Sequence, residues 1–323
     1  ALLINYGVSQ HLYLMEWPSK DVLISTLDSD VYLRLTKVRE LMTDGNFYNH
    51  AVVATNAPYG GIDTPWTCPL DFILITLAQF IPSDMPIEKR LLLVSNWYPL
   101  IIVSLIMFTA LKAAETGLKS IIKFQVLLLS IVGYALITPT YEYFISGNAD
   151  HHSLQALLWC ISLWLILEKP TKRRATYLGL TMGLWTWISP ESLFYVFAIF
   201  AVTGFKAIQN PSYSFFPLVA SFAMTLLTIM GVLVEIPPSQ ILSAHYYDTI
   251  SIVYAVLFSF CVAGFFIYHR WISKVSDQKY RLKTIISALA VLGLSFLAIF
   301  PNFIKGPMAD VEPYILTHFL TKI

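Results

Sequence analysis

Apolar runs separated by short polar stretches recur along most of the chain, at 91–111, 121–139, 153–168, 175–189, 192–205, 214–234, 250–268 and 284–300. A membrane-crossing helix needs about 17–25 predominantly apolar residues, so each run reads as a span or most of one. Lipid offers no partners to backbone N–H and C=O groups, which selects helices over open sheets. The opening stretch, ALLINYGVSQHLYLMEW, mixes polar and apolar positions too freely for a secretory signal. It reads as the end of an incomplete first transmembrane helix at 1–17, and both ends of the chain are expected to be cut short relative to the gene product. The pattern predicts an all-α, polytopic integral membrane protein with about nine transmembrane helices. Its spanning domain is expected over 91–300, after a long structured outer loop at 18–90 and before an outer segment at 301–323.

The 18–90 loop is too polar to span, yet it carries its own periodicity. DSDVYLRLTKVRELM sets Val31, Leu35, Val38 and Leu41 at helical spacing with charges between them. CPLDFILITLAQFI (68–81) is apolar but short, and predicts a helix lying on the outer membrane surface or re-entering it. Between the two, NAPYGGIDTPW is rich in Pro and Gly and predicts a turn-laden loop. A long ordered loop between helices is usually functional. The sequence shows neither the inverted repeat common in transporters nor a soluble domain.

Composition agrees with the pattern. Of 323 residues, 56% are hydrophobic and 13% charged, against about 25% charged in soluble domains. The net charge of +1 speaks against a nucleic-acid partner, which would draw a basic face. Lys and Arg gather in alternate loops: LKAAETGLKSIIK (111–123), EKPTKRR (168–174), Lys206 and HRWISKVSDQKYRLK (269–283). The positive-inside rule places these in the cytoplasm and the loops 18–90, 140–152, 189–192, 235–249 and 301–323 outside. KPTKRR lacks a Gly-rich phosphate cradle and reads as a topology signal. Cys68, Cys160 and Cys261 are too far apart for a metal finger and read as small hydrophobes.

Chemistry-bearing residues cluster at the outer loops. Asp28 and Asp30 lie in LDSDVYLRL, Asp150 precedes His151 and His152 in GNADHHSLQ, and Glu191 follows Pro190 in WISPESLFYV. A carboxylate and an imidazole two positions apart reach one ion if the backbone is extended or turning, which Gly147 and Asn148 favour. Mixed oxygen and nitrogen ligation suits Mn²⁺ or Mg²⁺, with Asp28 or Asp30 completing the set. The competing reading is a helix cap: Asp150 for the helix near Ser153, and Asp28–Asp30 for the helix after them. Glu191 fits equally a wet substrate cavity or a helix-start carboxylate. Tyr246, Tyr247 and Asp248 read as interfacial anchors.

LDSDVYLRLTKVREL, TPWTCPLD and GNADHHSLQ, in that order, resemble the class C glycosyltransferases that use polyprenyl-linked sugars. They are most similar to the oligosaccharyltransferase catalytic subunit family and to uncharacterised bacterial relatives with the patterns G-D-T-D-D-x-M-R-L, W-S-R-x-x-D and G-R-I-D-H-H-N-x-Q. Asp28, Asp30, Arg34 and Leu35 match the first pattern, Trp66 and Asp71 the second, and Gly147, Asp150, His151, His152 and Gln155 the third. Val31, Cys68, Asn148 and Ser153 depart from them. GPMADVEP (306–313) also looks like the family's segment after its ninth helix.

The resemblance implies a divalent metal, Mn or Mg, held by Asp28 or Asp30 with Asp150 and His152. Asp28 or Asp30 would be the catalytic acid, Arg34 and His151 would meet the donor phosphate, and Trp66, Asp71 and Glu191 would border the substrate cavity. The implied activity is transfer of a sugar or oligosaccharide from a polyprenyl phosphate or diphosphate to a protein, lipid or glycan acceptor. It would take place outside a bacterial inner membrane, with membrane lipids as partners. The family's further carboxylate would fall beyond TKI. Two rival readings are a transporter or flippase for a lipid-linked substrate, which would need charges midway through its helices, and a non-catalytic partner subunit that keeps the fold.

Overall fold

A computed structural model describes residues 29–45, 48, 50–52, 62–117 and 143–309. Nine α-helices are present among them: α1 (Ser29–Asp44), α2 (Cys68–Gln79), α3 (Ile87–Gly117), α4 (His151–Leu167), α5 (Lys172–Ile188), α6 (Leu193–Gln209), α7 (Phe215–Glu235), α8 (Ile252–Arg270) and α9 (Gln278–Ile299). Strands β1 (Ala51–Val52) and β2 (Ile62–Asp63) form a two-residue antiparallel pair. Five segments are long and apolar enough to cross a membrane: Ile87–Thr116, Pro190–Gln209, Pro211–Glu235, Ile252–Lys274 and Gln278–Ile299. In length and composition they fit a polytopic integral membrane protein. The span expected at 121–139 lies outside the described residues.

The described residues form two compact units. The first takes those within Ala1–Thr64 and Cys68–Glu168; the second takes Pro65–Thr67 and those within Lys169–Ile323.

In the first unit, the periodicity of 28–42 becomes α1, and Val31, Leu35, Val38 and Leu41 are all buried. The short apolar stretch becomes α2, which buries Cys68, Leu70, Asp71, Leu74 and Ala78 and packs against α1 and α3. Between α1 and α2 the β1–β2 pair joins Ala51 to Asp63 and Val52 to Ile62, which the sequence pattern did not announce. α3 packs along α4.

In the second unit, α5 and α7 run parallel in close contact. A Cβ on Gly179 would stand 2.1 Å from the Ala220 carbonyl oxygen, one on Gly183 3.0 Å from Met224 O, and one on Gly231 2.9 Å from the Trp187 ring. Gly179 and Gly183 are four apart, the small-residue spacing that lets helices approach where lipid supplies no hydrophobic drive. α8 and α9 run antiparallel, with Phe260 against Phe296 and Gly264 against Leu292. At one end of this unit α5, α7 and α9 begin and α6 and α8 finish. Ser214 and His269 Nδ1 meet there at 2.7 Å, and Tyr268 donates to Ala207 O at 2.7 Å. The unit's basic loop residues, from Lys172 to Lys283, collect at that end. At the other end, Trp187, Val232, Ile236, Ala244, Ile250 and Ala255 form an apolar cluster. Trp187 Nε1 donates to buried Glu235 Oε1 at 2.6 Å.

Candidate functional site

The site in the first unit begins with a helix defect. Pro99 lies inside α3. Proline has no N–H, so the carbonyl four residues earlier loses its helical donor. That carbonyl, Ser95 O, accepts from Gly147 N at 3.1 Å instead. Ser146 Oγ adds hydrogen bonds to Asn96 O (3.1 Å) and Asn96 Oδ1 (3.0 Å). Gly147 has φ +97°, a left-handed conformation that only glycine adopts without strain. The turn before α4 is thereby fixed to α3 largely through main-chain atoms.

Asp150 follows this turn. Its backbone is extended (φ −96°, ψ 157°), as an N-cap requires, and its Oδ1 accepts from His151 N at 2.6 Å. Its own carbonyl accepts from Ser153 Oγ at 3.0 Å and from the buried Tyr98 hydroxyl at 3.4 Å. The cap reading of Asp150 therefore holds, with the helix starting two residues before Ser153. The side chain does more than cap. His151 Nδ1 lies 2.6 Å from Oδ1, and His152 Nδ1 is in close contact with Oδ2. The two imidazoles lie 4.2 Å apart, centroid to centroid, and His152 also stacks on Tyr143 at 4.6 Å. Burial works against ionisation of Asp150. The hydrogen bonds from His151 and His152 outweigh it and hold the carboxyl far below the usual carboxylate range.

Asp150, His151 and His152 each offer a ligand atom, all within 4.8 Å of one another. Ligands about 2.1 Å from one small divalent ion stand at most about 4.2 Å apart, so modest side-chain adjustment brings this set onto an ion. One carboxylate oxygen and two imidazole nitrogens suit Mn²⁺ better than Mg²⁺. The same atoms pair by hydrogen bonds when each Nδ1 keeps its proton, and ligate when an ion displaces those protons.

The same unit holds a second polar knot. Arg34 Nη1 donates to Asp71 Oδ1 at 2.9 Å, and Lys37 Nζ lies 3.1 Å from Asp71 Oδ2. Arg34 and Lys37, three apart on α1, present their charges on one face. All three side chains are buried. Asp71, expected to border a cavity, is enclosed, and Arg34, expected at a donor phosphate, is paired with it. The Arg34 guanidinium is within electrostatic reach of the Tyr98 hydroxyl, which connects the knot to Asp150.

Asp30 lies exposed in the first turn of α1 and is not part of the Asp150 donor group; Asp28 lies outside the described residues. Trp66 and Glu191 belong to the second unit. There the neighbouring Thr67 hydroxyl donates to Trp187 O at 2.6 Å. Glu191 is exposed in a short 3₁₀ turn, and its N–H donates to Ser189 Oγ at 3.4 Å. Tyr98, Pro99 and Lys37 were not singled out in the sequence. A proline inside an otherwise apolar helix was the available signal for the first two.

Comparison with known proteins found no match, either to a protein-family model or to a curated protein.

Proposed function

We propose that the chain is a metal-assisted membrane glycosyltransferase. It moves a sugar or oligosaccharide from a polyprenyl phosphate or diphosphate to an acceptor at the extracytoplasmic face of a bacterial inner membrane. The carrying observation is the convergence of Asp150, His151 and His152 at the start of α4. A functional centre needs its groups held before the substrate arrives, and the Ser95–Gly147 bond and the Tyr143 stack do this here.

In this reading, Asp150 and His152, with His151 beside them, would hold Mn²⁺ or Mg²⁺. The chemistry such an ion would supply there is Lewis-acid charge for a departing phosphate. Asp28 or Asp30 orients or deprotonates the acceptor. Arg34, fixed by Asp71, adds positive potential near the donor head group. About nine spanning helices would accommodate the donor's lipid tail alongside them. A transporter would need ionisable groups deep in its spans. Among the described residues, the buried charges of the spanning segments, Glu235 and Arg281, instead sit in the last turn of α7 and the first turn of α9.

The deciding experiment uses the purified, reconstituted protein with polyprenyl diphosphate-linked sugars, scoring donor hydrolysis and transfer with and without Mn²⁺. Mn²⁺ binding is read separately by electron paramagnetic resonance. Asp150→Ala is expected to abolish both turnover and Mn²⁺ binding in a protein that remains helical by circular dichroism. Full turnover by Asp150→Ala would overturn the proposal.

A further inference from the structure

The second unit holds a cavity of about 500 Å³ between α6, α8 and α9. Its walls are almost wholly apolar, with Phe200, Phe205, Phe260, Phe265, Leu289 and Phe296 prominent. It follows α6 from Phe197 to Ile208 and α8 from Leu257 to Tyr268, roughly 16 Å of helix. Leu282, Ile286 and Leu289 on its α9 side are exposed, so the cavity opens sideways as a groove. These three helices are all of spanning length, and in a bilayer that opening faces lipid.

One end of the groove adjoins a buried cation that is not itself part of the lining. Tyr268, Ile272 and Leu282 line that end, and Arg281 stands next to Leu282 in the first turn of α9. Arg281 is only 8% exposed, and its Nε has no hydrogen-bond partner. It lies within electrostatic reach of the Tyr268 hydroxyl, but no carboxylate pairs with it among the described residues. Leaving a guanidinium buried and uncompensated is costly, so such a group points to an anion. The surroundings agree. His269, Arg270, Lys274, Lys279 and Lys283 flank it, against the single acid Asp277. The Asp277 carboxylate already accepts from Lys279 N at 2.9 Å as the cap of α9.

We propose that this groove is a binding site for an anionic phospholipid of the bilayer, with the phosphate on Arg281 and one acyl chain between α6, α8 and α9. An amphiphile fits both halves at once. The buried cation takes a phosphate oxygen in a charge-assisted hydrogen bond, while the aromatic and aliphatic walls take the chain. A neutral-headed lipid satisfies only the walls, and a free phosphate only the arginine. The site lies at the basic end of the unit, where acidic lipids concentrate beside Lys and Arg clusters. It does not depend on the glycosyltransferase reading.

Gly293 provides a clean way to test the tail. It lines the groove, and a Cβ there would meet nothing within 4 Å, so Gly293→Phe starts its added side chain in open space. The protein is reconstituted in nanodiscs of phosphatidylcholine doped with phosphatidylglycerol, and retained lipid is read by native mass spectrometry. The wild type is expected to retain phosphatidylglycerol over phosphatidylcholine, and Arg281→Gln to reduce that preference about tenfold. Gly293→Phe is expected to reduce retention of both lipids. Added inorganic phosphate is expected to leave retention unchanged. Equal retention of the two lipids by the wild type would overturn the proposal without reference to any variant. So would displacement by inorganic phosphate, or a doubled mass showing that a second copy fills the groove.

Discussion

Arg34 and Asp71 pair at 2.9 Å across 37 positions of sequence, with both side chains enclosed. Lys37 shares the same carboxylate, so one acid answers two cations. Breaking a buried pair from one side typically costs about 3–5 kcal/mol, because the remaining charge stays desolvated. Asp71→Ala is expected to destabilise by that amount. Adding Arg34→Met and Lys37→Met to it should recover most of the loss. Thermal unfolding in detergent of the single and combined variants checks both statements.

The anchor of the Asp150 turn predicts a separate pair of effects. Pro99→Ala restores an N–H that competes with Gly147 for Ser95 O, so α3 should become more regular while the turn loosens. Gly147→Ala forces a side chain to positive φ, at a cost of about 1–3 kcal/mol. Hydrogen exchange at residues 147–152 should quicken in both variants, and Mn²⁺ affinity should fall in step. Unchanged exchange in Pro99→Ala would show that the proline does not free this carbonyl.

Asp150 also sets a pH dependence. Its carboxyl is held below the ordinary range when folded. The stability it contributes is complete above the unfolded value, about 3.9. It is lost as pH falls through that value toward the folded one. The stability difference between wild type and Asp150→Asn should shrink as pH falls below about 4. Urea titrations of the two proteins across this range measure it.

Two helix glycines should respond in opposite ways. At Gly179 a methyl group would press on the Ala220 carbonyl. Gly179→Ala is expected to cost about 1–3 kcal/mol by overpacking the α5–α7 contact. At Gly293 nothing stands within 4 Å, and Gly293→Ala should gain up to about 1 kcal/mol of helix propensity. Melting temperatures of the two variants should move apart.

Much of this architecture was legible in the order of residues. Val31, Leu35, Val38 and Leu41 repeat with the period of a helix face, and they are buried as that period requires. The runs at 214–234, 250–268 and 284–300 became α7, α8 and α9 with ends shifted by a few residues, because apolar runs locate helices better than helix ends. Capping by Asp150 and the proximity of its two histidines were local and could be read. The partner of Asp71 could not, since a contact between α1 and α2 leaves no periodic trace. The closeness of α5 and α7 was written in Gly179 and Gly183, but glycine spacing becomes a contact only when a facing helix is known.

The main-chain part of the Asp150 seat is a missing N–H at Pro99, an oxygen at Ser95 and a glycine amide at Gly147, with the Ser146 hydroxyl on Asn96 beside them. That bond depends on backbone geometry at two positions more than on side-chain chemistry around them. A chain that pairs a proline inside one helix with a left-handed glycine before the next carries, in two residues far apart in sequence, the joint that holds the Asp-His-His start in place.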